Sequence, residues 1–329
     1  MRAFTLIHFK LSFGVTLMVE TKNYRAFGLN ILSEISLPEI AMINNPNENP
    51  DVIIQVDDLS NLWSSLAKHP YSFVIKKDFV MFQLPNVAIY LIENGMKITI
   101  TPLENANEDQ IRLFILGTCM GALLMQRGIL PLHGSAIDID GRAYAIVGES
   151  GAGKSTLAAA LMNSGYKLLS DDVIAVTISE KDQMPFVIPS YPQQKLWKES
   201  LDYFGMENGK LKPIFQRETK YTVPVSEKFF SAPLPLAGVF ELDKGENDQI
   251  EMVPIDKLKR LNTLLNHTYR NFLIPELNLV EWHFNYSTKI LNRIDVIKLY
   301  RPTDAFTAYD LASLILKHAK KENTKNAVY

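Results

Sequence analysis

One octapeptide constrains this chain more than any other stretch: Gly148-Glu149-Ser150-Gly151-Ala152-Gly153-Lys154-Ser155, with the apolar run AYAIV before it and KSTLAAALM after it. This is the Walker A pattern in the setting it requires, strand then loop then helix. Its glycines let backbone N–H groups turn inward and approach phosphate oxygens with no Cβ in the way. The helix after the loop aims its unpaired N–H groups and its dipole at the same anion. Lys154 then meets the β- and γ-phosphates, the Ser155 hydroxyl ligates Mg²⁺, and Thr156 completes the segment around the nucleotide. ATP with Mg²⁺ is the ligand pair this stretch predicts, carried by an α/β fold.

The surroundings of the loop point beyond nucleotide holding. Asp171 and Asp172 come directly after YKLL, the strand expected after the P-loop helix. In an α/β sheet the ends of neighbouring strands converge on one crevice, so the pair lands beside the phosphates. Two carboxylates there can serve Mg²⁺ or take a proton from an incoming hydroxyl, and phosphoryl transfer needs both roles. On their own, paired aspartates read equally well as solvated turn formers at a strand end. His133 opens the strand hairpin that leads into the loop, and the sequence leaves open whether it points inward.

Net charge is −2 over 329 residues, which removes any electrostatic footprint for nucleic acid. The longest apolar stretch, Leu113–Met125, is too short to span a bilayer and reads as a buried helix. Arg2 and the apolar residues after it loosely mimic a secretory signal, but His8 and Lys10 interrupt the run and no small-residue cleavage site comes after it, so the segment reads as strands. A single cysteine, Cys119, fits a structural place on a helix and a reducing compartment, and the expectation is a cytoplasmic protein with no membrane or nucleic-acid partner.

Residues 1 to about 105 form an N-terminal β-rich α+β domain, with Asn94-Gly95 as a hairpin turn. A connecting helix over 106–129 starts at Asn107, with Gln110 as a capping-box partner and Gly128 closing it, and packs between the N-terminal domain and the P-loop domain. Residues 130–320 form the catalytic domain: strands about the Asp140-Gly141 turn, the P-loop helix, and an extended YKLLSDDVIAVTI. A Pro-rich irregular segment spans 181–235, and after it come the strand GVFELD, a helix near Asp256–Phe272, the strand IDVIKLYRP and a helix over about Asp304–Lys320. A flexible tail, 321–329, ends the chain. Lys195, Arg217, Lys220 and Arg270 are the cations placed to meet phosphate or a peptide carboxylate, though each reads as well as a surface salt bridge. Trp197 and Tyr269 read as packing residues, and His267 as a structural helix residue.

The stretch HG…D…G…GESGAGKS…GYKLLSDD resembles the catalytic core of HPr kinase/phosphorylase, the bacterial serine kinase whose P-loop is related to that of phosphoenolpyruvate carboxykinase. The intervals from His133 to Lys154 and from Lys154 to Asp172 agree with that family. The resemblance implies a kinase core of this type, usually a homo-oligomer. His133 becomes a charge-stabilising active-site residue, Lys154 meets the phosphates, Ser155 binds Mg²⁺ and Asp172 is the base. Asp171 assists its neighbour or the metal. Two departures bear on HPr recognition and on the reverse reaction: Thr156 stands where the family has Glu, and YPQQKLW (Tyr191–Trp197) replaces the glycine-rich signature with its Mg²⁺-binding Glu. The motifs LHGSAI, PQQKLW, PLAGVFEL and LNHTYRNFL resemble a divergent branch, the kinases of lasso-peptide precursors, which implies a small peptide substrate phosphorylated on its C-terminal serine. The alternatives are a regulatory HPr-type kinase/phosphorylase and a non-catalytic NTP-binding scaffold. A transport ATPase is disfavoured because no LSGGQ-type signature stands downstream of the loop.

Overall fold

The computed structural model describes residues 20–43, 49–207, 209, 211–214, 217–245 and 249–326. The strands expected over residues 1–18 and the last residues of the expected tail lie outside this set. The chain divides into two compact units, Met1–Arg127 and Gly128–Tyr329.

The first unit carries a mixed seven-stranded sheet. Its strands are β1 (Lys22–Ala26), β2 (Leu29–Ser33), β3 (Val52–Val56), β4 (Phe73–Lys76), β5 (Phe79–Leu84), β6 (Ala88–Glu93) and β7 (Lys97–Pro102), in spatial order β1-β2-β3-β7-β6-β5-β4. The β6–β7 turn is Asn94-Gly95, both with positive φ (54° and 64°), the geometry for which Asn-Gly is selected. Helix α1 (Ser60–Leu66) buries Trp63 in a small cluster with Leu59, Met81, Ile89 and Leu91.

The helix expected over 106–129 belongs to this unit and is not one continuous α-helix. It is built as α2 (Glu108–Phe114), a π-helical turn over Ile115–Cys119, and α3 (Met120–Gln126). The Met120 N–H reaches back to the Ile115 carbonyl, five residues away. That extra residue lets Ile115, Leu116, Cys119 and Met120 all face inward, each under 5% exposed. At the start, Asn107 Oδ1 accepts from the Asp109 N–H at 2.8 Å. Arg112, itself buried, is held by Glu39 at 2.9 Å and by Asp109.

The second unit is an α/β layer structure. Its main sheet is built from β8 (Leu130–Ile139), β9 (Arg142–Val147), β10 (Lys167–Ile178), β11 (Pro185–Ile188), β15 (Leu234–Lys244), β16 (Glu251–Pro254) and β17 (Asp295–Arg301). These seven strands run in the order β11-β10-β8-β9-β15-β17-β16. Strands β9, β15 and β17 are parallel, and the P-loop leaves the C-terminal end of β9. One face of the sheet packs on α4 (Lys154–Asn163) and α9 (Ala308–Asn326) through Leu157, Leu161, Leu311 and Ile315. The other packs on α6 (Lys257–Asn266) and α8 (Val280–Leu291) through Leu264 and Ile290, with the short α7 (Leu273–Glu276) between them in the chain. Helix α8 has no counterpart among the elements expected from sequence.

The segment 181–235 is not irregular. Besides β11 it supplies α5 (Lys198–Tyr203) and a three-stranded sheet, β12 (Gln193–Trp197), β14 (Arg217–Pro224) and β13 (Lys212–Ile214). The final helix starts four residues later than expected and continues to Asn326, through most of the expected tail. No helix among the described residues is long and apolar enough to cross a membrane.

Candidate active site

The P-loop is closed by close backbone approach. A Cβ on Gly148 would meet the Leu242 carbonyl oxygen of β15 at 2.3 Å, and Gly151 and Gly153 adopt φ of 85° and 107°. Only glycine satisfies both demands cheaply. Lys154 is buried and donates to the Gly148 and Glu149 carbonyls at 2.8 and 3.0 Å, so its ammonium lies within the loop. Burial lowers its pKa, partly opposed by Asp171. Arg301, at the end of β17, donates from Nε to the Ala152 carbonyl at 2.7 Å and braces the loop.

Asp171, on β10, reaches the first turn of α4. Its Oδ1 accepts from Ser155 Oγ at 2.9 Å and from Ser135 Oγ at 2.5 Å, and its Oδ2 accepts from the Lys195 N–H at 2.8 Å. Ser135 is directly opposite Asp171 in the β8–β10 ladder. The Ser155 hydroxyl and a buried carboxylate form the oxygen pair by which P-loop proteins hold Mg²⁺ alongside phosphate oxygens. Among the described residues no cluster of three or more His, Cys, Asp or Glu could hold a metal by itself. The two oxygens present, Ser155 Oγ and Asp171 Oδ1, fit an ion that completes its shell with phosphate oxygens.

Successive side chains of a regular strand point to opposite faces, yet Asp172 joins the same site. Its φ of 76° breaks the alternation, and β10 also carries a register irregularity between Leu168 and Ser170. Opposite Asp172 is Gly134, where a Cβ would meet the Ile146 carbonyl oxygen at 2.1 Å. Asp172 Oδ2 accepts from Lys195 Nζ at 2.6 Å, and Oδ1 lies 3.5 Å from His133 Nδ1. Burial works to raise the Asp172 pKa, but Lys195 and then His133 outweigh it and hold the carboxyl well below the usual range. The group is ionised at neutral pH, and its pairing weakens it as a base.

His133 is half-buried, with its ring edge-on to Tyr269 at 5.6 Å. Nδ1 donates to the Asp172 carbonyl at 3.0 Å, which leaves Nε2 as the acceptor nitrogen of the neutral ring. Burial pushes its pKa down, with Asp172 opposing. His133 thus stands against Asp172 through both the Asp172 carbonyl and its Oδ1.

The remaining sequence-predicted residues are spread around this centre. Thr156 shares a 2.8 Å hydrogen bond with Ser200 of α5. Lys195 is not a surface cation but a buried partner of Asp172. Arg217 and Lys220 flank the Trp197 ring at 5.9 and 5.5 Å, and Arg270 lies 5.9 Å from the Tyr269 ring. Burial lowers the Lys220 pKa, with Asp171 and Asp172 opposing. His267 is structural but not inert: Nε2 meets Glu241 Oε1 at 2.9 Å, and its carbonyl accepts from the His133 N–H. Sequence reasoning missed Ser135, Gln194 and Arg301. Of these Ser135 carried a signal, two residues after His133 on the same strand.

No family model matches the chain. In sequence it is similar to HPr kinase/phosphorylases: that of Lactobacillus gasseri is 26% identical over 180 residues, covering 52% of this chain and 55% of that one. That of Limosilactobacillus reuteri is 27% identical over 169 residues, covering 48% and 51%. That of Nitrosomonas europaea is 25% identical over 249 residues, covering 71% and 73%. The chain thus spans about half the length of the first of these relatives. The solved HPr(Ser) kinase/phosphatase of Coxiella burnetii superposes with a TM-score of 0.32 at 16% identity, over 60% of this chain and 98% of that one. With its P-loop at the C-terminal end of the central strand of an α/β sheet and its sequence likeness to these proteins, the chain is HPr kinase-like.

Proposed function

We propose that this chain is an ATP- and Mg²⁺-dependent kinase that transfers phosphate to a serine hydroxyl. The observation that carries the reading is the division of two adjacent carboxylates. Asp171 is bound to the P-loop serine, while Asp172 is turned by its φ of 76° toward Lys195 and His133. A site that only binds nucleotide has use for the first carboxylate and none for the second.

Backbone N–H groups of residues 148–153 and the N-terminus of α4 cradle the phosphates, and Lys154 exchanges its loop carbonyls for phosphate oxygens. Ser155 and Asp171 would hold Mg²⁺, which when bound neutralises charge on the transferring group. Asp172 takes the proton of the acceptor hydroxyl, and His133 orients that carboxylate. Lys220, paired opposite Trp197 on β14 and felt by both Asp171 and Asp172, supplies positive charge at the approach to the phosphates, and Arg217 lies against the same Trp197 ring.

The relatives are named for HPr, and that favours a carrier protein of the HPr kind as acceptor over a lasso-peptide precursor. A second reading, the C-terminal serine of a small peptide, draws on β12, whose buried Lys195 stands where the family's glycine-rich signature is expected. The test is to give the purified chain Mg²⁺ and [γ-³²P]ATP with HPr, with a peptide ending in serine, and with that peptide lacking the serine. Label on a serine of HPr supports the carrier reading, and label on the intact peptide alone supports the second. ATP binding with no label on any acceptor overturns the kinase reading in favour of a nucleotide-binding scaffold.

A further inference from the structure

Strand β12 places two polar residues in the interior, Gln194 at 1% and Lys195 at 8% exposure. Burying such groups is costly unless each is paired, and here three hydrogen bonds lead to the same place. Gln194 Nε2 donates to the Ser155 carbonyl at 2.8 Å. Lys195 donates from its backbone N–H to Asp171 Oδ2 at 2.8 Å and from Nζ to Asp172 Oδ2 at 2.6 Å. One residue thus touches both carboxylates, and its neighbour fastens the strand to the P-loop serine.

The two oxygens of Asp172 are not equivalent. Oδ2 is taken by the ammonium, while Oδ1 lies on the His133 side, 3.5 Å from Nδ1. A carboxylate held at one oxygen by a charge-assisted hydrogen bond has its rotation about the Cβ–Cγ bond stopped, and the other oxygen is aimed. We propose that Lys195 is the positioning residue of the acceptor side: it fixes Asp172 through Oδ2 so that Oδ1 receives the acceptor proton. This rests on the kinase reading above. In the step, the serine O–H bond breaks and its proton passes to Asp172 Oδ1. The serine oxygen bonds to the γ-phosphorus, and the bond from that phosphorus to the β–γ bridging oxygen breaks, its electron pair leaving with ADP. Lys195 keeps its proton throughout and acts only through Asp172.

The experiment is a double-mutant cycle over Lys195→Met and Asp172→Asn in the full chain, with whichever of HPr or the serine-ended peptide the wild type labels. Lys195→Met keeps the backbone N–H to Asp171 and the bulk of the side chain. Its kcat should fall about 100-fold, the cost of a misplaced reacting group. The KM for ATP and the affinity for a fluorescent ADP analogue should stay within about twofold, since the metal side is untouched. Added to Asp172→Asn, the Lys195 change should cost less than about threefold more, because one residue acts through the other. Full multiplicative losses in the double variant would overturn the proposal, as would a raised ATP KM at unchanged kcat, which would make Lys195 a nucleotide cation. If Lys195→Met does not fold, Lys195→Gln runs through the same cycle with the same thresholds. A wild type that labels no serine acceptor defeats the kinase reading itself, whereas an active wild type matched by Lys195→Met defeats only the role given to Lys195.

Discussion

Adjacent residues in a strand seldom share a task, and Asp171 and Asp172 share a site only because they do different things in it. Asp171 is held by Ser135, Ser155 and the Lys195 N–H, with acceptor capacity to spare, so its oxygens are fixed where a cation beside the phosphates would sit. Asp172 holds its place through a left-handed backbone, a conformation costing about 1–2 kcal/mol that Asp and Asn tolerate best. Asparagine is therefore a clean replacement for the Asp172 backbone. Asp172→Asn should retain Mg²⁺-dependent nucleotide binding and lose roughly 10²–10⁴-fold in phosphoryl transfer, as expected for loss of a general base. Asp171→Asn should instead weaken Mn²⁺–ADP binding, read by electron paramagnetic resonance of the Mn²⁺. The reverse pattern would mean that the two roles are exchanged.

At the scale of elements, what could be read ahead was what is local. The P-loop with its flanking strand and helix, the Asp140-Gly141 turn and the Asn94-Gly95 hairpin each announce themselves within a few residues, because backbone sterics decide them. Strand β12 was hidden because the site inverts its pattern: Gln194 and Lys195 are buried for their partners rather than for apolarity, so the run reads as loop. Ser135 carried a signal in its spacing from His133, but its partner did not, because the β8–β10 register that sets it against Asp171 joins residues 36 apart. The π-helical turn at Ile115–Cys119 was invisible because the segment is apolar on every side and no periodicity marks the extra residue. Helix α8, missed as well, carries its own test. His283 is 3% exposed, its Nε2 meets the Thr268 hydroxyl at 2.8 Å, and burial pushes its pKa down to about 4. Its folded pKa lies below the unfolded value, so between these two values the unfolded chain binds the extra proton and stability rises with pH. The contribution is complete above about pH 6.5 and is lost as pH falls toward 4. Urea unfolding should show the wild type losing roughly 2 kcal/mol more between pH 7 and pH 5 than His283→Gln, whatever the two stabilities at pH 7. Equal losses would mean that the imidazole is protonated within the fold.

For the whole molecule, the decisive fact is where the apolar residues find their partners. Both core clusters flanking the P-loop sheet draw every member from Gly128 onward: one joins Leu157 and Leu161 to Leu311 and Ile315, the other joins Leu169 and Ile174 to Leu264 and Ile290. The site is equally self-contained, with His133, Ser135, Lys154, Asp171, Asp172, Lys195 and Arg301 all in the second unit. A unit of this size, with both sheet faces covered by its own helices, has the core to fold alone. Residues 128–329 expressed by themselves should unfold in one cooperative transition and bind a fluorescent ADP analogue within about threefold of the full chain, since they retain every nucleotide-side residue named above. Phosphoryl transfer by the same fragment then separates two roles for residues 1–127. Transfer at the full-chain rate would confine acceptor recognition to the P-loop unit, and nucleotide binding without transfer would assign it to the N-terminal one. A fragment that fails to unfold cooperatively would show that the two cores are not sufficient, and that the first unit contributes stability rather than recognition.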